Sequence, residues 1–154
     1  MQYSCQCYFW PFCPYSPPSI NRLRLTQTPQ WADEYGAVWV VCGPVIDDTA
    51  SIEWIGDPGE LPVAIPDAFF KIVIRETDDA GHPEVLGFLF EHFDPKIKNL
   101  YDNRRNHKID DNDLSLFFAS LDTIEARTGL DFLTMLPDTA EVEIESVTPT
   151  RLWD

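Results

Sequence analysis

Three histidines and a scatter of carboxylates and cysteines are the residues of this chain that could do chemistry. The run Asn103-Arg104-Arg105-Asn106-His107-Lys108 places an imidazole among cations, with Asp110, Asp111 and Asp113 close behind. Such a set could grip a phosphate, offer a general base and hold a metal. Acids and bases mixed in a polar stretch more often form a solvated surface, however, and that is the expectation here. As a purely electrostatic contact with nucleic acid, Lys96, Lys98, Arg104, Arg105 and Lys108 are the better candidates. Asp79-Ala80-Gly81-His82 is followed by Pro83, and Asp, Gly and Pro around one His are what a turn requires. His92 lies in an aromatic stretch and reads as a half-buried sheet residue. Cys5, Cys7 and Cys13 have a suggestive spacing, but a tetrahedral zinc site needs a fourth ligand and no His is near. They are expected to be incidental, and Cys42, in an apolar run, to be a buried thiol.

Charge restricts what these residues can bind. The formal net charge is -15, and residues 1–30 contribute only Arg22 and Arg24, so residues 31–154 carry nine basic and 26 acidic side chains, or -17. A body so acidic does not bind a phosphate backbone tightly without a local basic patch or a metal ion, because non-specific affinity comes from cations displacing counterions. The chain has 154 residues, enough for one domain with a real core. No run of eighteen apolar residues exists, and the first residues lack the basic start and apolar run of an export signal, so neither anchor nor signal is expected.

The elements that must position these groups begin after residue 30. Residues 1–30 are rich in Pro, Cys and aromatics without periodicity, and are expected to lie outside the core. Residues 31–35 read as the last turn of a helix stopped by Gly36. Residues 37–41 are a continuous apolar strand, expected to be covered on both faces and ended by Gly43-Pro44. Residues 52–55 form a short strand, 69–75 and 85–93 a hairpin, and 94–113 a long polar loop. Residues 122–127 are a helix started near Ser120 and stopped by Gly129, and 141–146 a last helix or strand. The fold class expected is α+β, a mainly antiparallel sheet flanked by helices.

Three ordered stretches carry a family resemblance. They are Trp31-Ala32-Asp33-Glu34-Tyr35-Gly36-Ala37-Val38-Trp39-Val40-Val41-Cys42-Gly43-Pro44, then Val63-Ala64-Ile65-Pro66-Asp67-Ala68-Phe69-Phe70-Lys71-Ile72-Val73, then Ile124-Glu125-Ala126-Arg127-Thr128-Gly129-Leu130-Asp131-Phe132 with Leu136-Pro137 following. Together they resemble the C-terminal part of the DNA/RNA non-specific endonucleases, the ββα-metal nucleases, over residues 31–154. The resemblance implies magnesium-dependent hydrolysis of phosphodiester bonds in DNA and RNA, with nucleic acid as partner. It also implies a His base on an upstream Asp-Arg-Gly-His strand and a metal-ligand Asn on the next helix. No Asp-Arg-Gly-His occurs in this sequence.

Ser16-Pro17-Pro18-Ser19-Ile20-Asn21-Arg22 resembles the family's approach to that Asn, which makes Asn21 the metal ligand the resemblance implies. Read from the residues, Pro29 would fall inside the helix that Asn21 should begin, at a cost of about 3 kcal/mol, which favours a loop Asn. The expectation is a truncated, catalytically incomplete member of the family. The alternative is a non-catalytic binding module that kept the scaffold and pairs with a protein partner at an open sheet edge.

Overall fold

The computed structural model describes residues 28–79, 81–91 and 114–153. Helix α1 is Thr28–Tyr35, followed by strands β1 (Val38–Val45), β2 (Glu53–Ile55), β3 (Val63–Ile65), β4 (Ala68–Arg75) and β5 (Glu84–Glu91). A 3-10 turn at Ser115–Phe117 leads into α2 (Leu121–Thr128) and α3 (Asp138–Glu145). Strand β4 is central, antiparallel to β1 on one side and to β5 on the other, and β2 pairs with β3 in a separate small sheet. The architecture is α+β with antiparallel sheets, as expected from the sequence.

Alternation along β4 divides the core in two. Phe69 and Val73 face one way, with Leu86, Phe88 and Phe90 from β5, and pack with Trp31, Leu114 and Phe117. Ala68, Phe70 and Ile72 face the other way and pack with Val45, Ala119, Leu121 and Ile124. The sheet is thus a wall with α1 on one side and α2 on the other. Fully burying residues of this size is worth roughly 1.5–3 kcal/mol each, so these two clusters dominate what holds the described fold together.

Local chemistry explains the second wall. Ser120 caps α2, its hydroxyl accepting from the Thr123 amide at 3.2 Å, and Gly129 closes the helix at φ 68°, its amide donating to the Glu125 carbonyl at 2.8 Å. The approach to the sheet is close. The Ala119 amide donates to the Gly87 carbonyl at 3.0 Å, and a Cβ on Gly87 would lie 2.3 Å from the Ala119 carbonyl oxygen.

Three expectations need correction. Strand β1 is not covered on both faces: Trp39 is 48% and Val41 39% exposed, because β1 is an edge among the described strands and α2 packs over Phe70 and Ile72 instead. Gly43-Pro44 does not end that strand, which stays paired with β4 as far as Val45 opposite Ala68, and a Cβ on Gly43 would collide with the Phe70 ring. Cys42 is not a buried thiol. It is exposed on β1 and disulfide-bonded, with its partner outside the described residues. Residues 141–146, open between helix and strand on sequence, lie in α3 and the turn that closes it.

Candidate functional site

The cations of the described residues are where a phosphate would have to be met, and most are already engaged. Lys71 is buried and donates to the Thr28 hydroxyl at 3.3 Å. Arg75 donates twice to Glu84, at 2.6 and 3.0 Å, with its guanidinium 3.8 Å from the Tyr35 ring and 4.8 Å from that of Trp153. Arg127, in the last turn of α2, donates to both Asp47 oxygens at 2.9 and 2.5 Å and also bonds the Glu91 carboxylate. The Arg127 guanidinium holds the Asp47 carboxyl below its usual range, and these bonds raise the affinity of Arg127 for its proton. Asp47 is itself placed by its amide, which donates to Asp67 at 2.9 Å. This network fastens α2 to the ends of β1 and β5, and so serves the scaffold.

Tyr35, Arg75, His82, Glu84, Arg151 and Trp153 line a cleft of about 560 Å³. His82 belongs to the turn expected for it: its amide donates to the Asp79 carbonyl at 3.0 Å, and its carbonyl accepts from the Thr77 hydroxyl at 2.9 Å. Among the described residues His82 belongs to no group of three or more potential metal ligands.

Carboxylates converge elsewhere. Asp122 and Glu125 on α2 and Glu145 on α3 bring oxygens within 4.8 Å of one another, and Asp131 and Glu141 do the same with Glu145. Glu145 is only 6% exposed, and its Oε1 is buried without a hydrogen-bond partner. Burial, then the charges of Glu125 and Glu141, push its pKa up to about 7. Neither group contains a histidine.

The residues singled out by sequence fall mostly beyond this frame. Asn21, Lys96, Lys98, Arg104, Arg105 and Lys108 lie outside the described residues, as do His92, His107, Asp110, Asp111 and Asp113. Sequence reasoning passed over Arg127 and Glu145. A cation in the last turn of a capped helix was a signal for the first, and acids at i, i+4 on α3, where like charges repel, a signal for the second.

A family model described as DNA/RNA non-specific endonuclease matches residues 26–139. No curated protein matches the sequence. The matched span contains β1, β4, β5 and α2, the sheet and helix joined by Arg127 and by the Gly87 contact.

Proposed function

This chain belongs to the DNA/RNA non-specific endonuclease family, and we propose that it is that nuclease's scaffold, catalytically incomplete by itself. The family acts on nucleic acid through a divalent metal. What carries the reading of incompleteness is the sequence: no Asp-Arg-Gly-His is present to place a general base. In this reading Lys96, Lys98, Arg104, Arg105 and Lys108 make the contact with the phosphate backbone, and the acidic remainder keeps that contact weak and salt-sensitive.

The metal the family uses would be Mg2+, and Asn21 is the residue proposed to hold it. When bound, such an ion stabilises charge on the scissile phosphate and the leaving oxygen. The described histidine, His82, stands in a turn held by its own backbone amide and carbonyl, and no Asp-Arg-Gly-His motif surrounds it. Magnesium titration followed at the Asn21 side-chain amide by NMR tests the metal site. A site-specific shift that disappears in Asn21→Ala supports it, and the absence of any shift removes Asn21 from the reading and leaves the scaffold alone.

One observation favours a second reading, a binding module. Strand β1 is an edge among the described strands and shows Trp39 and Val41 to solvent. An edge with apolar side chains is suited to adding a partner's strand. Trp39→Lys would weaken such a protein complex and leave nucleic-acid binding unchanged.

A further inference from the structure

Two helices of like charge meet at Glu145. Asp122 and Glu125 come from α2, Glu141 and Glu145 from α3, and Asp131 from the loop between them. Glu125 is fixed in place, its Oε1 accepting from the Phe132 amide at 2.7 Å. Among the described residues no lysine or arginine pairs with any of the five: Arg75 pairs with Glu84, and Arg127 with Asp47 and Glu91. An ionised carboxylate buried without a partner is among the costliest groups a fold can keep. Yet Glu145 Oε1 is shut away from solvent and unbonded, and the carboxyl stands within the two overlapping triads.

We propose that Asp122, Glu125, Asp131, Glu141 and Glu145 form a calcium site that clamps α2, the intervening loop and α3 together, with Glu145 as its shared, buried ligand. Only hard oxygen donors converge there. Without His or Cys the site does not suit zinc or softer metals. Calcium accepts six to eight oxygens in irregular geometry, whereas magnesium keeps most of its waters and usually takes one or two carboxylates. Two carboxylate triads that share one dehydrated member, Glu145, therefore match calcium. The exposed members, Asp122 and Asp131, leave room for water to complete the shell. The ion would offset the repulsion between the helices and satisfy the orphaned oxygen. This site does not depend on the nuclease reading.

The test uses the full 154-residue chain, stripped with chelator and titrated with CaCl2 by calorimetry, with thermal unfolding followed in parallel. One Ca2+ should bind per chain and raise the unfolding temperature, since a ligand of the folded state stabilises it by mass action. Glu145→Gln should weaken the affinity roughly a hundredfold, as ligand charge and number set calcium affinity. Asp122→Asn and Asp131→Asn alter exposed ligands and so keep the fold, and each should weaken binding by about tenfold. A folded chain that takes up no Ca2+ at millimolar concentration would overturn the proposal, leaving Glu145 a carboxyl kept neutral by a proton. Undiminished binding in Glu145→Gln, or in both aspartate variants, would overturn it as well. Magnesium bound as tightly as calcium would refute the choice of ion.

Discussion

Replacing Gly87 by alanine tests how the second wall of the fold is assembled. The added Cβ would sit 2.3 Å from the Ala119 carbonyl oxygen, against an ordinary contact of about 3.4 Å or more, and 3.3 Å from Ile124 Cδ1. A backbone oxygen cannot swing aside as a long side chain can, so the segment entering α2 must retreat by roughly 1 Å. Overpacking of this kind costs about 1–3 kcal/mol. The retreat also strains the Ala119 amide bond to Gly87, whose loss would add about 1 kcal/mol. The expected destabilisation of Gly87→Ala is therefore about 2–4 kcal/mol. Urea unfolding followed by far-UV circular dichroism measures it, and the midpoint should fall while the slope stays unchanged. Gly129→Ala serves as a comparison, since nothing crowds its Cβ and its cost comes from φ 68° alone, about 1 kcal/mol. A loss below about 0.5 kcal/mol in Gly87→Ala would refute the close approach of α2 to β5.

Further outcomes follow from the charged groups. Because burial and the charges of Glu125, Glu141 and Asp122 raise the Glu145 pKa from 4.5 to about 7, the folded chain holds that proton more tightly than the unfolded chain. In the absence of calcium, stability from this group is greatest below pH 4.5 and declines as pH rises to about 7. Glu145→Gln should flatten that decline in a series of melts across the range. Asp47 behaves oppositely: the pairing with Arg127 stabilises the fold above the ordinary carboxylate range and is lost as pH falls through it. Arg127→Met should cost about 1–2 kcal/mol at neutral pH and remove the Asp47 contribution to acid sensitivity. Neutralising Lys96, Lys98, Arg104, Arg105 and Lys108 together should abolish DNA binding and flatten its salt dependence in an anisotropy titration, whereas unchanged binding would place the nucleic-acid surface elsewhere.

The parts of the fold legible in the sequence are those fixed by short-range chemistry. Ser120 and Gly129 bracket α2 because a hydroxyl cap and a left-handed glycine act within a few residues, and the β4–β5 hairpin follows from two apolar runs around a turn. The edge position of β1 was not legible. A run such as Val38-Trp39-Val40-Val41 looks the same whether a neighbouring element covers it or not, and only the placement of α2 decides that Trp39 stays exposed. Cys42, on the other face of β1 opposite Lys71, was misread because cysteine spacing alone does not show which cysteines bond. The carboxylate nest was hidden differently: acids on a short helix look like a solvated face until a second helix brings Glu145 against Glu125. For the candidate site itself, the sequence supplied the family and Asn21 by resemblance, and Asn21 lies outside the described residues.

The most direct test of the central claim is a cleavage assay on the purified chain, with supercoiled plasmid and single-stranded RNA as substrates and Mg2+ in excess. The expected result is no cleavage above a chelator-treated control, with the DNA still bound weakly at low salt. Magnesium-dependent cleavage of either substrate that disappears in His82→Ala or His107→Ala would contradict the account, because it would show that this chain places a general base without an Asp-Arg-Gly-His strand.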